Sequence, residues 1–591
     1  MNGVAEKLGT LYDYLVPYRR RLIQAVVLAV LVTLIGLLPP LVIKAIVDHL
    51  LVGGMTWLFW PLVIALAAVP VINQLVGKAF RLLTQNTAAK LTFDVRFGLY
   101  RHVTGLPLGY FDKHSTGMVL ERLMGDVNKF QQLVTGQVLT LATDVVKAAF
   151  SIYVMLAINW HLALALLGVV PLYVLNHRFF VRRIRASNEK FRAKMDDVSG
   201  HLEERLTGTA LVKSYGMERA ETRNFTVETH AALQHSSRAR GLMVAFSNTA
   251  ELVHWAGHRG IFLLGCYLVI DGGMSYGDVL AFTSYAMFLL GPAVRFSQLV
   301  NQIEQTMVSV RRVKELLGEQ PEPDRGWVVN QPDVSFRGRV QLENVSFAYE
   351  PDNPVLKEVS LDVPAGKTVA LVGRTGCGKT TLTSLLYRFY TPTQGRILLD
   401  GQDTAELDLG TLRKQLAVVP QDAVLFEGTA AENIAYGHPH ATREQIIAAA
   451  KLAEIHEVLE NLPNGYDTPL GQAGAKLSGG QKQRLVIARA VLVDPVALIL
   501  DEATSSLDTE SERLIQRALR KVMRNRTCFV IAHRLSTIQH ADLIVVMDEG
   551  HILETGTHAE LLARTDSHYA NMYRRQFAKI GREQEQAAAV A

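Results

Sequence analysis

The chain is 591 residues long, 49% hydrophobic and 20% charged, with a formal net charge of +5. This length is too great for one hydrophobic core, so we expect several domains. The small net charge argues against a dedicated nucleic-acid binder. The three cysteines show no paired spacing, which indicates neither a disulfide framework nor a zinc site.

The first half carries six segments that are apolar over roughly 20 residues, the length that a bilayer core requires. They are predicted near residues 22–48, 57–79, 137–158, 161–181, 242–270 and 276–301. The short links between them contain no Lys or Arg, whereas the N-terminus and two long links, near 81–135 and 182–240, are rich in both. By the positive-inside rule, both termini and both long links are cytoplasmic.

The two long links have helical spacing, and we interpret them as extensions of the spans into the cytoplasm. Each contains a glycine-bearing break, at 106–117 and at 206–216. We expect short transverse helices at these breaks that face a partner domain. Solvated helical hairpins without a role are the alternative.

Charged and polar side chains inside the spans are candidates for function, because each costs about 2.5–3.5 kcal/mol at a helix centre. Two in the third span and four in the fifth stand out: Asp144, Lys147, Glu251, His254, His258 and Arg259. The first two can pair on one helix face, and the other four share one broad face. They either line a substrate cavity or pair internally to fix helix packing. A metal site formed by Glu251, His254 and His258 is a further alternative.

Composition also divides the chain. Residues 1–320 are predicted as a transmembrane domain, and the charged, proline-containing segment 321–338 as a linker. Residues 339–580 alternate strands with helices, which is typical of a parallel-sheet nucleotide-binding domain. The last residues, 581–591, are predicted as a flexible tail.

The stretch GRTGCGKT at 373–380 follows an apolar β-branched run and opens a helical segment, the context of a phosphate-binding loop. Glycines let successive backbone N–H groups point at phosphate oxygens, while Lys379 reaches the β- and γ-phosphates and the Thr380 hydroxyl ligates Mg²⁺. The predicted nucleotide-contacting residues of the loop are Gly373, Arg374, Thr375, Gly376, Cys377, Gly378, Lys379, Thr380 and Thr381.

Two further motifs point to phosphate chemistry. The apolar run VALILDE ends in two carboxylates, so Asp501 is placed to complete the Mg²⁺ shell and Glu502 to act as a general base toward water. The motif LSGGQ at 477–481 precedes a helical segment and predicts a second phosphate-binding surface at a helix N-terminus.

These motifs, with SSLD at 505–508 and AHR around His533, resemble those of an ATP-binding-cassette (ABC) protein. Combined with six preceding spans, the chain resembles a half-size transporter of the ABC exporter type, similar to bacterial multidrug and lipid A exporters. The resemblance covers nearly the whole chain. It implies six transmembrane helices with long cytoplasmic extensions, fused to an α/β nucleotide-binding domain of the ABC phosphate-loop type.

The resemblance also implies two cassettes arranged head to tail, with each ATP between the phosphate loop of one and the LSGGQ of the other. Tyr349 would stack on adenine, and Gln421 would sense Mg²⁺ together with Thr380 and Asp501. The γ-phosphate of the opposite ATP would be held by three residues of the LSGGQ motif: Ser478, Gly480 and Gln481.

In the same way, Asp508 would contact the partner cassette, and His533 would act as the switch that responds to the γ-phosphate. The breaks at 106–117 and 206–216 would be coupling helices. The chain departs from the common exporter pattern at 471–474, where GQAG lacks the usual glutamate. Cross-talk between LSGGQ and the coupling helices is therefore expected to be tuned differently.

The implied activity is ATP hydrolysis, with Mg²⁺, that exports or flips an amphipathic drug, lipid or peptide across the cytoplasmic membrane by alternating access. One cassette per chain requires a second copy or a homologous half-transporter as partner, with membrane lipid around it. Two alternatives stay open: an exporter-fold importer of a metal chelate such as a siderophore, and the catalytic half of a heterodimer. No nucleic-acid partner is expected.

Overall fold

The computed structural model describes residues 14–322, 336–471, 474–501, 508–532, 535–564 and 566–574. The chain divides into two compact units, of which the first comprises Met1–Thr104 and Thr116–Glu319 and the second Gly105–Ser115 and Gln320–Ala591. Most of the predicted linker, 321–338, and all of the predicted tail, 581–591, lie outside the described residues. Those boundaries therefore stay predictions.

The first unit is helical. Its α-helices are α1 (Arg19–Gly36), α2 (Pro39–Ala45), α3 (Phe59–Thr104), α5 (Thr116–Glu121), α6 (Val127–Gln132), α7 (Val138–Ile158), α8 (Trp160–Leu167), α9 (Val170–Thr207), α10 (Thr209–Ser214), α11 (Glu218–Ile270) and α12 (Tyr276–Gly318), with α4 (Leu108–Lys113) in the second unit. Single turns of 3₁₀-helix cover Val16–Tyr18 and Thr56–Leu58, and wider π-helical turns cover Ile46–Val52, Arg122–Asp126 and Leu133–Gln137.

The long helices run far beyond a membrane thickness. Helix α11 has 53 residues, which at 1.5 Å per residue is roughly 80 Å against a hydrocarbon core of about 30 Å. The predicted helical extensions of the spans are thus confirmed. A short helix also occupies each predicted break, as α4 and α10.

Five helical segments in the described part of the chain are long and apolar enough to cross a membrane: Val16–Val52, Thr56–Thr104, Thr116–Ile158, Trp160–Thr207 and Glu218–Ile270. They contain the first five predicted spans. The sixth predicted span, 276–301, falls within helix α12, whose side chains from 290 to 302 lie outside the described residues. The count of six therefore stays a prediction.

Buried side chains from several helices form a core in the first unit, among them Leu37, Phe282 and Tyr285. The hydroxyl of Tyr285 donates to the backbone oxygen of Leu37 at 2.6 Å, which satisfies a polar group that would otherwise be buried unpaired. Helix α12 begins with a capping box in which Ser275 and Asp278 bond each other's backbone N–H groups.

The second unit is an α/β domain. Its strands are β1 (Val340–Glu350), β2 (Asn353–Val363), β3 (Thr368–Gly373), β4 (Gln394–Leu399), β5 (Gln402–Asp403), β6 (Leu416–Val419), β7 (Ala497–Asp501), β8 (Thr527–Ile531), β9 (Leu543–Asp548) and β10 (His551–Gly556). Its α-helices after α4 are α13 (Lys379–Leu386), α14 (Leu409–Gln415), α15 (Ala430–Ile434), α16 (Arg443–Leu452), α17 (His456–Glu460), α18 (Gly479–Leu492), α19 (Thr509–Val522), α20 (Leu535–Gln539) and α21 (His558–Ala563).

Two sheets build this domain. One has the order β2-β1-β4-β5 and is antiparallel, and the other has the order β10-β9-β3-β8-β7-β6, with β9, β3, β8, β7 and β6 parallel. Leu371 on β3 and Asp501 on β7 both pair with Ile531 of the strand between them. The ends of β3 and β7 therefore lie at the same edge, where parallel α/β sheets carry their ligands.

Helix α4 contacts the segment that follows α13, although the two are distant in sequence. The hydroxyl of Tyr390 donates to the carboxylate of Asp112, and the Tyr390 ring lies so close to Gly109 that an added Cβ would sit 3.2 Å from it. The backbone N–H of Glu322 donates to the oxygen of Gly105 at 2.7 Å, and the Glu322 carboxylate forms a two-point ion pair with Arg413. Residues of the first break thus contact residues of the second half of the chain within this unit, and the role of the break as a coupling helix stays a prediction.

Candidate functional site

A glycine-rich turn joins β3 to α13. Gly378 has φ +105°, a conformation that side chains disfavour, and an added Cβ would lie 2.6 Å from Cδ2 of Leu356. At Gly373 an added Cβ would lie 2.2 Å from the backbone oxygen of Met547 on the neighbouring strand. Glycine at both positions lets the turn curl against the sheet, so its N–H groups can face an anion at the start of α13.

The side chain of Lys379 bonds back to the start of this turn. This side chain is 6% exposed, and its Nζ donates to the backbone oxygens of Gly373 and Arg374, each at 2.8 Å. The same nitrogen lies 3.7 Å from Sγ of Cys377, which is 4% exposed beneath the loop. A buried ammonium group at a helix N-terminus creates a positive site suited to phosphate. Arg374, Thr375 and Gly376 are exposed on its outer side.

Tyr349 stands beside the loop on β1. Its ring is 45% exposed and contacts the rings of Phe347 and Tyr390 edge-on, with centroids 4.9 Å and 5.1 Å away. Its hydroxyl lies 3.2 Å from Oγ1 of Thr381, on the helix that begins at the phosphate loop. These contacts fix an aromatic face next to the loop, which suits stacking on a nucleobase.

Three oxygen donors were predicted as Mg²⁺ ligands. Thr380 is exposed on the first turn of α13, Gln421 is exposed just after β6, and Asp501 ends β7 at the level of the loop strand. The side chain of Gln483 donates to the oxygen of Pro420 at 3.0 Å and so anchors the segment that carries Gln421. A hydroxyl, an amide oxygen and a carboxylate are the hard oxygen ligands that Mg²⁺ prefers, so the donor set fits this ion.

The LSGGQ motif forms the start of α18. Ser478 is its N-cap, with Oγ accepting from the N–H of Gln481 at 3.3 Å and the Gln481 side chain accepting from the N–H of Ser478 at 2.9 Å. Ser478 and Gly479 are exposed. The motif therefore presents a capped helix N-terminus to solvent, with the dipole and exposed polar groups that favour an anion.

Helix α19 holds this N-terminus in place. Gly480 is buried so closely against it that an added Cβ would lie 2.7 Å from Cβ of Ser511. Asp508 caps α19 by accepting from the N–H of Ser511 at 2.9 Å, and hydrogen bonds from the Ser511 backbone and hydroxyl lower the pKa of Asp508. This carboxylate is thus charged at neutral pH, beside the LSGGQ helix.

Several predicted residues lie outside the described part of the chain. They are Glu502, the first residues of SSLD at 505–507, His533, and the Gln472–Ala473 pair of the departure at 471–474. Their predicted roles stay predictions. Cys528 is described, and it is fully buried in β8, where burial raises its pKa to about 12. A structural role as a small apolar residue suits it.

The polar residues of the spans differ in their exposure to solvent. Asp144 is buried on α7 and Lys147 is half-buried on the same helix. On α11, Glu251 is exposed, whereas His254 and His258 are half-buried with ring centroids 6.4 Å apart.

The guanidinium of Arg259 is exposed on α11 and lies over the ring of Trp255, with 5.2 Å to its centroid. Among the described residues no three His, Cys, Asp or Glu side chains converge as a metal site would require. The described residues thus give no support to a metal site at Glu251, His254 and His258, and that alternative stays a prediction. Helical spacing put the three on one face but could not bring their donor atoms to one point.

Tyr390 is a site residue that the sequence interpretation missed. It contacts the Tyr349 ring on one side and Asp112 of helix α4 on the other. The aromatic run YRFY that follows α13 was an available signal, but only the fold shows that its last residue contacts both the Tyr349 ring and Asp112 of α4.

Comparisons with known proteins cover both units. The family profile described as ABC transporter transmembrane region matches residues 22–293, and the profile described as ABC transporter matches residues 356–505. A Bacillus subtilis protein provisionally named multidrug export ATP-binding/permease protein YgaD is 36% identical over 575 residues, covering 95% of this chain and 98% of its own.

A Staphylococcus aureus protein with a corresponding provisional name is 37% identical over 573 residues, with the same coverage. Among solved structures, a bacterial Atm1-family ABC exporter with ATP bound matches with a TM-score of 0.78 and 31% identity, over 95% of this chain and 98% of that one. The likeness thus extends over both units.

Proposed function

This chain belongs to the ABC transporter family, and on that premise we propose that two copies of it form an ATP-driven exporter of amphipathic molecules. The observation that carries the proposal is the presence, on one cassette, of a phosphate loop with a buried lysine and of a separate, exposed LSGGQ helix N-terminus. One triphosphate does not need both surfaces from the same chain. A head-to-tail pair of identical cassettes uses each surface once per ATP.

In this arrangement the phosphate loop holds the triphosphate through its N–H groups and Lys379, while Tyr349 stacks on adenine. Thr380, Gln421 and Asp501 would hold Mg²⁺, which supplies charge neutralisation to the β- and γ-phosphates. The partner cassette contributes the start of its α18, with Ser478 near the γ-phosphate. Each site is incomplete without the other copy.

Hydrolysis then needs a positioned water and a base. Glu502 takes a proton from that water as its oxygen bonds to the γ-phosphorus, and the bond from that phosphorus to the β–γ bridging oxygen breaks. Inorganic phosphate and ADP leave the site. Because the γ-phosphate links the two cassettes, its release removes the contact with Ser478 and His533 and lets the cassettes separate.

We infer that helix α4, which the chain joins to α3 and α5, responds to this separation. Its Asp112 is bonded to Tyr390, which contacts Tyr349 at the nucleobase face. We infer that cassette closure and opening alternate the exposure of a membrane cavity between the two sides, with both termini and the cassette in the cytoplasm. The names of the relatives, which refer to multidrug export, support an amphipathic substrate.

Inside-out vesicles that contain the chain test the direction of transport. Export from the cytoplasm appears there as ATP-dependent accumulation of an amphipathic dye in the lumen, and we expect it to be lost in a Glu502→Gln variant. A metal-chelate importer would instead release a preloaded ferric siderophore from the lumen when ATP is added. Release of the chelate without accumulation of any dye would contradict the export proposal.

Alkylation of Cys377 is expected to block ATP binding. The thiol lies beneath the loop, 3.7 Å from Nζ of Lys379, so an added N-ethylmaleimide group would displace the lysine and the loop backbone. Bound ATP should protect the thiol by holding the loop closed. Fluorescent ATP binding before and after treatment, with the modified site located by peptide mass spectrometry, measures the effect.

The control is Cys377→Ser, which keeps Cys266 and Cys528 and should bind ATP equally well with or without the reagent. If Cys377 is shown to be alkylated while ATP binding is unchanged, the assignment of this loop is wrong.

A further inference from the structure

A narrow cavity lies between the larger sheet of the second unit and two helices, α19 and α20. Its volume is about 70 Å³. It lies where two clusters of buried apolar side chains adjoin on one face of the sheet, since Val530 of the first cluster pairs with Ala370 of the second. Its walls include no residue of the turn before α13 and none of the LSGGQ motif. The cavity is therefore separate from both phosphate-binding surfaces.

The strand register gives the cavity its length. Thr368 and Asp501 both line it; the first pairs with Cys528 and the second with Ile531, three residues farther along β8. Its ends thus lie about 10 Å apart along the strands. A volume of about 70 Å³ spread over this length leaves a narrow channel. Since a cavity that holds benzene has about 150 Å³, a single alkyl chain fits here better than an aromatic ring.

The middle of the cavity is apolar. It is lined by Leu519 and Met523 of α19 and by Leu500 and Val530 of the sheet. The two strand residues are each 2% exposed. An alkyl chain placed among these side chains loses contact with water, which is favourable.

Two hydrogen-bond donors stand side by side on α19. Gln516 and Arg520 both line the cavity, and they are one helical turn apart. Nε2 of Gln516 is buried and makes no hydrogen bond. Arg520 is exposed, and while its neighbours Arg517 and Lys521 pair with Glu454, no ion pair of Arg520 is present among the described residues. Because a buried donor without a partner is unfavourable, an acceptor supplied by a ligand would be stabilising.

We propose that this cavity binds a medium-chain alkyl carboxylate, such as a fatty acid of about the length of octanoate, and that its occupation slows ATP hydrolysis. The carboxylate accepts hydrogen bonds from Nε2 of Gln516 and from the guanidinium of Arg520. An ammonium group would instead meet the like charge of Arg520. At the other end, the carboxylate of Asp501 favours an uncharged methyl group over a second acid group.

The slowing follows from the elements that the alkyl chain touches. Asp501, a predicted Mg²⁺ ligand, ends β7, and α19 begins beside the LSGGQ helix with Asp508 as its cap. A chain lodged between α19 and the sheet opposes movement of one against the other when two cassettes close around ATP. This effect rests on the proposed function, whereas the binding does not.

Photolabelling of the full-length chain in lipid nanodiscs tests the site. The probe is an octanoate analogue with a diazirine at its methyl end, and labelled peptides are identified by mass spectrometry. We expect label in the peptides that contain β7 and α19. Free octanoate should compete, and octylamine should compete at least about tenfold less well because it lacks the charged acceptor. Each methylene removed from the competing acid should weaken competition about fourfold.

Two variants should lose the label. Arg520→Gln removes the charged donor and should weaken labelling about tenfold, and Leu519→Phe fills part of the cavity and should also weaken it. The matched control is Arg513→Gln, which removes an exposed arginine of the same helix that does not line the cavity. It should label like wild type. Thermal unfolding shows whether each variant is folded.

ATP hydrolysis by the same preparations is the second readout. Saturating octanoate should slow hydrolysis severalfold in wild type and in Arg513→Gln, and should leave the rate of Leu519→Phe unchanged.

Absence of label from the β7 and α19 peptides, equal labelling of wild type and Arg520→Gln, or an equal loss in Arg513→Gln would overturn the site. Full occupation of wild type without any slowing would overturn the regulatory effect. Labelling needs no ATP, so a chain that never hydrolyses ATP would contradict the exporter proposal while the labelling still decides whether this site exists.

Discussion

A Glu502→Gln chain is expected to bind ATP as tightly as wild type and to hydrolyse it about a hundredfold to ten-thousandfold more slowly, the range that loss of a general base produces. The amide keeps the shape and hydrogen-bonding reach of the carboxylate but cannot accept a proton from water at neutral pH. The residues predicted to hold Mg²⁺ and the triphosphate are untouched, so ATP should remain trapped between the cassettes.

Phosphate release and binding of a fluorescent ATP analogue, measured on the same preparation, separate the two effects. Glu457→Gln is the matched control, because Glu457 is an exposed carboxylate at the start of α17, and it should leave both quantities unchanged. A Glu502→Gln protein that hydrolyses ATP within about threefold of wild type, far from the loss expected of a missing base, would remove Glu502 from the catalytic role.

A Lys379→Ala chain is expected to lose ATP binding itself. A charge-assisted hydrogen bond contributes about 1.5–3 kcal/mol, so the dissociation constant should rise roughly tenfold to a hundredfold. The buried ammonium also holds the loop by donating to Gly373 and Arg374, and its removal leaves those two carbonyl groups without this donor. Isothermal titration with ATP and Mg²⁺ measures the change.

Lys367→Ala provides the control for charge. Lys367 is an exposed lysine of the same domain, whose Nζ bonds the Asp542 carboxylate at 3.0 Å before β3 begins. The Lys367→Ala variant should bind ATP with wild-type affinity. Thermal unfolding of both variants shows whether the cassette is intact. A folded Lys379→Ala cassette with wild-type affinity would contradict the placement of the triphosphate on this loop.

Some parts of the site followed from local sequence. Glycines 373 and 378 dictate a tight turn wherever they occur between a strand and a helix, so GRTGCGKT predicted the loop without knowledge of the rest. The Ser478–Gln481 capping box is equally local. The long spans were predictable for a similar reason, because about 20 apolar residues suffice to span a bilayer.

Other features depend on contacts between distant residues, which periodicity cannot supply. Asp112 and Tyr390 are 278 positions apart, and neither sequence neighbourhood indicates the other. The face shared by Glu251, His254 and His258 was predicted, but the distances among their donor atoms depend on rotamers and neighbouring helices.

Two copies of this chain, and no other protein, are expected to make a complete ATPase. The most direct measurement is ATP hydrolysis in lipid nanodiscs sorted into those that hold one copy and those that hold two. We predict Mg²⁺-dependent hydrolysis from two-copy discs and none from one-copy discs, because each site needs the LSGGQ helix of a second cassette. Hydrolysis at the same rate per chain in one-copy discs, or two-copy discs that bind ATP and never hydrolyse it, would contradict the proposal of a self-sufficient pair.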